Sequence, residues 1–404
     1  MVTADTDRFI ADLQDLRRIG TFKTGVDRPT YGEADMEARR WLMARMTEVG
    51  LTPEIDGIGT VIGRHQAPGP KLLVGSHIES QTEAGWLDGA YGVVAGIALA
   101  RAGLAVDVIA FADEEGHYGP FLGSRSFTGL LGDEEIDALA NRTHGKPLRQ
   151  ALSEAGLAGK PRIRLEPGRY RAFLEAHIEQ GTTLETADHQ IGVVTGIVAI
   201  WQYRIRFQGQ QDHAGGTTMI ERRDAGLAAV RTLAWVDAEF PKHCGERTVW
   251  TCGGITLRPG DPHIIPGEAE VIFQFRDISE DVLARLDALL RRAVRESNRR
   301  DRTVATLEVV GQSKPALCDV DVQRAFVAAA EALTPGRWTS LPSGAGHDAQ
   351  YMAPRLPTGM LFVPSIGGIS HHWSEDTKPE DLAMGLRVLA AAAGDLLRGP
   401  GRAV

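Results

Sequence analysis

Two apolar runs, Lys71–Gly75 (KLLVG) and Val106–Ala112 (VDVIAFA), are too short for helices, and between them lies an Ala-rich stretch, Val93–Ala102, that is too long for a strand. Continuous rather than alternating apolar runs mark strands covered on both faces. This triplet therefore predicts the βαβ rhythm of a parallel sheet with helices over it. Two helices are expected ahead of it. One presents Phe9, Ile10, Leu13 and Leu16 on a single face, and the other presents Ala38, Trp41, Leu42 and Val49 and stops at Gly50. Residues 129–170 are charged, Gly-containing and weakly periodic, which predicts loops and short helices.

From Trp201 the order changes to strand (QYRIRFQG), helix Glu221–Glu239, strands Thr248–Leu257 and Ala269–Arg276, helix Val282–Asn298 and strand Thr303–Val310. That is a self-contained βαββαβ unit of the ferredoxin-like kind. Lys314 and Pro315 mark its exit, and a further α/β stretch runs to residue 404. A chain of this length favours two cores over one. The expected fold class is thus α/β, with a discontinuous domain of residues 1–200 and 314–404 interrupted by a smaller α+β domain, 201–313.

Charge and composition narrow the function. The net charge is −9, from 53 acidic against 44 basic residues, with no block of Lys and Arg to neutralise phosphates, so no nucleic acid partner is expected. The start, MVTADTDRF, is acidic and lacks an apolar signal core, and the most apolar stretch, Gly92 to Phe111, is broken by Arg101 and Asp107; a cytoplasmic, non-membrane protein is the expectation. The three cysteines have neither CxxC spacing nor an even count, which disfavours a disulfide frame or a thiolate zinc site. Any metal must then be held by His, Asp and Glu.

Four Gly-flanked segments, each at an expected strand end, supply those residues: GSHIES (75–80) with WLDG (86–89), FADEEG (111–116), EAHIEQG (175–181) and SIGGISHH (365–372). Imidazole and carboxylate together are the ligand set for zinc, manganese and related divalent ions, and a carboxylate can bridge two of them. The candidates are His77, Asp88, Glu115, His177 and one of His371 or His372. Consecutive residues at a strand end point to opposite sides, so Glu115 can bind metal while Glu114 faces the attacking water as general base. Glu79, two residues after His77, can hold the other imidazole nitrogen of His77. His65, His117, His144, His189 and His243 lack such a setting and read as structural. Taken alone, His213 reads as a cap for a turn, and Arg276 as a partner of Asp277 or Glu270.

The segments GSHIESQTEAGWLDGAYGV, FADEEG, FLEAHIEQG, DHAGGTTMIERRDA, IIPGEAEVIFQFRD, SGAGHDAQYMA and FVPSIGGISHH resemble, in order and over nearly the whole chain, the motifs of the hydantoinase/carbamoylase family of amidases. That family includes N-carbamoyl-L-amino acid hydrolase, β-ureidopropionase and allantoate amidohydrolase, within the wider dinuclear-metal aminoacylase and peptidase group. The resemblance implies two divalent ions per subunit (zinc, manganese, cobalt or nickel), bridged by Asp88, with His77 and His177 on one ion each and Glu115 and His371 completing the site. It makes Glu114 the base and the inserted domain a lid and dimerisation domain. His213 would reach the site of the partner subunit of a homodimer and polarise the substrate carbonyl, Arg276 would clamp the substrate carboxylate, and Gln180 would contact substrate. The implied reaction is hydrolysis of an N-carbamoyl-L-amino acid to amino acid, carbon dioxide and ammonia. Allantoate or another ureide, or an N-acyl amino acid or amide, are the alternatives within the class, and a binding protein without turnover is the alternative outside it. Three departures stand out: the family usually has Asp at Glu79, Asn at His263, and Asn-Pro at His372 and Trp373. His263 is expected beside Arg276, at the polar end of the substrate.

Overall fold

The Lys71–His77 strand is buried along its whole length and is central to a nine-stranded sheet. The computed structural model describes residues 4–399 and divides the chain into two units, Met1–Ile197 with Ala316–Val404, and Val198–Pro315. In the first unit the sheet order is Ala316–Leu317, Ile191–Ile197, Thr358–Val363, Tyr170–Ile178, Lys71–His77, Val106–Phe111, Val61–Arg64 and Thr52–Ile55, and Trp338–Ser343 also pairs with Ile191–Ile197. The four middle strands, from Thr358–Val363 to Val106–Phe111, are mutually parallel. The α/β expectation is therefore met, but the sheet is mixed rather than parallel: Val61–Arg64 runs antiparallel to Val106–Phe111 and to Thr52–Ile55, and Ile191–Ile197 runs antiparallel to Thr358–Val363. The reason is local. Asp56 accepts the N–H groups of Ile58 and Thr60 and closes a tight turn between Thr52–Ile55 and Val61–Arg64, and an antiparallel pair needs no crossover helix.

Parallel alignment brings the carboxyl ends of the middle strands to one edge, where open α/β sheets place their sites. His77 ends its strand, His177 is next to last in Tyr170–Ile178, and Glu114 and Glu115 follow Val106–Phe111. The helix Ala90–Arg101 crosses close above. A Cβ on Gly92 would lie 2.4 Å from the carbonyl oxygen of Ala176, and one on Gly96 3.0 Å from Val108. Small residues are what this approach demands. The opening helices span Thr6–Arg17 and Glu33–Glu48.

The second unit is a four-stranded antiparallel sheet in the order Val249–Arg258, Glu268–Asp277, Ala199–Gln208, Val304–Gln312. With the helices Ala225–Glu239 and Glu280–Arg300 it forms the βαββαβ topology, and Tyr203, Phe207, Phe273, Phe275, Leu286 and Leu290 are buried in its core. The first of these helices starts later than the periodicity predicts. Asp224 accepts the N–H of Leu227 and is its N-cap, so residues 221–224 remain outside. Between strands, Asp212–His213 forms a short ladder with Ile264–Ile265. No helix among the described residues is long and apolar enough to cross a membrane.

Candidate metal centre

Asp88 is buried and its two carboxylate oxygens face different partners. Oδ1 lies 3.1 Å from His177 Nε2 and 3.5 Å from His77 Nε2, and Oδ2 lies 3.3 Å from His371 Nε2. Two triads result, His77–Asp88–His177 and Asp88–Glu115–His371, each with its donor atoms within 4.8 Å of one another, so His77 and His177 fall into one group rather than on one ion each as the resemblance implies. The backbone sets the imidazoles. His77 Nδ1 meets the carbonyl oxygen of Glu79 at 3.1 Å, and His177 Nδ1 that of Ile178 at 2.9 Å. A proton held on each Nδ1 leaves a lone pair on Nε2, the atom that can ligate a cation on the Asp88 side of each ring, and His177 Nε2 also accepts the N–H of Gly89 at 3.1 Å. Gly89 has φ +66° and lies under the His77 ring, which a Cβ would meet at 2.5 Å, so only glycine allows Asp88 this close.

Glu114 Oε2 is 3.7 Å from His77 Nε2, and Glu115 Oε2 is 3.6 Å from His371 Nε2. The two glutamates diverge as expected, but through a turn rather than along a strand, because the strand ends at Phe111. Asp113 makes that turn. It has φ +54°, and its carboxylate accepts the N–H groups of His117, Tyr118 and Gly119 and the hydroxyl of Thr30. Glu115 is held by Gln81, whose side chain donates at 2.7 Å and whose N–H donates at 3.2 Å. The charge balance of the pocket is that of a cation site. Burial, reinforced by Glu115, Asp348 and Asp88, raises the pKa of Glu114 well above the usual carboxylate value despite His77. Burial alone would lower that of His77, yet Glu114, Asp88 and Glu79 drive it well above the imidazole value. Divalent cations relieve this crowding of carboxylates and use the same Nε2 and carboxylate donors, so the residues fit the implied metals.

Of the adjacent histidines the structure selects His371. It lies at Asp88, with φ +54°, while His372 turns to Ser374, with Nδ1 2.7 Å from its Oγ. Gln180, also left-handed at φ +57°, donates to Asp88 Oδ2 at 2.9 Å and to Ser370 at 3.0 Å. It therefore touches the Asp88 carboxylate itself. Non-glycine residues at positive φ carry strain that surrounding structure must hold, and they collect at functional sites. The Glu79 expectation needs correction: its carboxylate is 3.8 Å from His77 Nδ1, and its closer partners are the Glu114 N–H and Arg39. The imidazole is held by the Glu79 carbonyl instead.

Two residues escaped the sequence reading. Glu375, wholly buried, accepts the N–H groups of Leu87 and Asp88 and the hydroxyl of Ser370, tying the Asp88 loop to the His371 loop; burial, with Asp88 nearby, pushes its carboxyl up to about 7. His347 packs edge-to-face against His177 with ring centroids 4.6 Å apart and bonds Ser343 Oγ at 2.8 Å. Burial and the neighbouring His177 lower its pKa well below the usual value. The SGAGHDA motif was a signal for His347; nothing local marked Glu375.

In the second unit His213 is exposed, and its Nδ1 accepts the N–H groups of Gly215 and Gly216 at 3.1 and 2.8 Å. It does cap a turn, and because Nδ1 accepts, the proton resides on Nε2, free to donate outward. His263 is its neighbour, its carbonyl accepting the N–H of Ala214 at 2.9 Å. Arg276 is elsewhere. It pairs in register with Ile200 and Val249, whereas the His213 ladder adjoins the other end of that strand, near Glu268 and Gln208. Eight residues of extended chain separate the two ends, roughly 26 Å. Within one chain, His263 is therefore not beside Arg276, contrary to the expectation from the paired substrate positions.

Residues 76–395 match the model of peptidase family M20/M25/M40. The chain is 34% identical to an N-carbamoyl-L-amino acid amidohydrolase of Geobacillus stearothermophilus over 97% of this chain and 99% of that one. It is 32% identical to an allantoate amidohydrolase of Escherichia coli, covering 91% and 92%. Among solved structures, an amidase of the hydantoinase/carbamoylase family from Burkholderia phymatum superimposes with a TM-score of 0.92 at 44% identity, over 98% of this chain and 99% of that one. These likenesses bear out the resemblance read from the motifs.

Proposed function

This chain belongs to peptidase family M20/M25/M40 and is a metal-dependent hydrolase of linear amides; from that premise we propose that it cleaves the ureido bond of N-carbamoyl-L-amino acids. Water adds to the ureido carbonyl, the bond to the amino-acid nitrogen breaks, and the released carbamic acid decomposes to carbon dioxide and ammonia. The observation that carries the reading is the single carboxylate, Asp88, shared by two ligand triads with Glu114 at their edge. His77 and His177, and Glu115 and His371, would hold one divalent ion each with Asp88 between them. Such ions, when bound, acidify the attacking water and polarise the carbonyl.

The chain's own residues supply the rest. Glu114 takes a proton from the attacking water and passes it to the leaving nitrogen. His213 Nε2–H donates to the oxygen that gains charge in the tetrahedral state. Arg276 offers a planar, bidentate guanidinium to the substrate carboxylate, with Gln180 and His263 as further polar contacts. A small substrate cannot span the separation between His213 and Arg276 in one chain, which supports a homodimer in which His213 and His263 serve the partner's site. Glu79 supports the site through its neighbours.

The test compares two variants of the metal-reconstituted enzyme. Glu114→Gln should keep its metal and lose about 10²–10⁴-fold in kcat, while Asp88→Ala should lose metal. Equal metal loss in both would show that base and ligand are wrongly assigned. A panel of N-carbamoyl, N-formyl and N-acyl amino acids with allantoate, read by ammonia and amine release, decides the substrate; preference for allantoate would replace the N-carbamoyl reading.

A further inference from the structure

Glu79 stands where the family usually has Asp, and the extra methylene has a use. Its carboxylate is fully buried and bridges two elements: Oε1 accepts the N–H of Glu114 at 2.7 Å, and Oε2 accepts Arg39 Nη2 at 2.9 Å. Arg39, equally buried, comes from the helix Glu33–Glu48 and is itself immobilised. Its Nε pairs with Asp35 at 3.0 Å, and its Nη1 donates to the carbonyl of Gly59 at 2.7 Å. Asp35 in turn accepts the N–H of Tyr31 at 2.8 Å. Every nitrogen of the guanidinium is thus spent on a fixed group.

A buried carboxylate requires a compensating cation, and Arg39, at 2.9 Å, lies closer to it than His77 Nδ1, at 3.8 Å. A carboxylate so paired makes a charge-assisted bond to a peptide N–H, shorter and stronger than a neutral one. An Asp at position 79 would fall about 1.5 Å short of serving both Arg39 and the Glu114 amide. We propose that Arg39 and Glu79 are positioning residues that fix the peptide carrying Glu114, and thereby hold its carboxylate beside His77. This rests on the reading of Glu114 as the base. The helix Glu33–Glu48, which supplies no group to the metal centre, is thereby joined to catalysis.

The experiment measures kcat, KM and metal content for Glu79→Asp, Glu79→Gln and Arg39→Lys, each with Glu114 intact and again with Glu114→Gln. Displacing the base by an ångström should lower kcat by about 10²-fold while KM changes less than about threefold and metal content stays at the wild-type level. In the Glu114→Gln background the same changes should have almost no further effect, since they act through a group already removed. Parallel loss of metal and kcat would overturn the proposal by showing that the pair holds His77 instead. Equal losses in both backgrounds, or an unchanged kcat in Glu79→Asp, would also overturn it. If Arg39→Lys does not fold, Glu79→Asp, which keeps the charge, decides alone. A wild-type kcat in Glu114→Gln by itself removes the base reading and this proposal together, whereas a Glu114-dependent kcat that ignores Glu79 and Arg39 removes only this one.

Discussion

At the scale of single residues, the proposed metal centre competes with protons. The hydrogen bond that His371 donates to Asp88, opposed by burial and aided by Glu115, raises His371 to about 9, so in metal-free protein this imidazole is charged at pH 7. A cation must displace that proton. Apparent metal affinity should therefore rise between pH 7 and pH 9, by up to about tenfold per unit for this one proton, and calorimetry in buffers of different ionisation enthalpy should detect its release. The same shift bears on stability. A histidine whose pKa is raised on folding stabilises fully below its unfolded value of about 6.5 and loses that contribution as pH climbs through the folded value. The melting temperature of chelated protein should thus fall between pH 6.5 and pH 9, and His371→Gln should flatten that slope. Glu375 gives a second prediction. Truncating it to Ala leaves the amides of Leu87 and Asp88 unpaired, which should cost about 1–3 kcal/mol and weaken metal binding about 10–100-fold. Denaturant titration and metal titration check the two effects.

At the scale of elements, the site depends on how closely the helix Ala90–Arg101 approaches the sheet. Ala is the better helix former by about 1 kcal/mol, yet Gly92→Ala should destabilise, because the new methyl would sit 2.4 Å from the Ala176 carbonyl oxygen. Overpacking of this kind costs about 1–3 kcal/mol. Since Gly92 lies one turn beyond Asp88, the displaced helix should also weaken metal binding. A denaturation midpoint that rises in Gly92→Ala would show that the helix has room to move. The element scale also explains which strands were legible. Lys71–His77 and Val106–Phe111, buried throughout, announce themselves as apolar runs; Thr52–Ile55, alternating exposed and half-buried residues with a Pro inside, carries no such signal, and its place follows from the hairpin at Asp56.

At the scale of the whole molecule, the homodimer reading predicts complementation. Glu114→Ala and His213→Ala, each inactive, are unfolded and refolded as an equal mixture. If His213 serves the partner's site, a mixed dimer has one complete site, and random pairing should restore about a quarter of the wild-type rate. Mixed dimers that form without activity would place His213 in its own chain's chemistry and remove the trans reading.

What the sequence by itself determined was the chemistry and the rhythm. Imidazoles and carboxylates at strand ends, the strand–helix–strand triplet at the middle of the first unit, the order of strands and helices in the second, and the family motifs are all written in neighbouring residues, and periodicity reports burial directly. Tertiary structure alone decided the partners. His371 rather than His372 meets Asp88 because the chain turns left-handed at residue 371. Glu79 bonds Arg39 and the Glu114 amide rather than His77 because a helix forty residues earlier in the chain brings a cation to it. Glu375 reaches back 288 and 287 residues to Leu87 and Asp88, and the strand register puts Arg276 far from His263. Each is a contact between residues distant in sequence, where local pattern says that a polar group needs a partner and only packing says which one it finds.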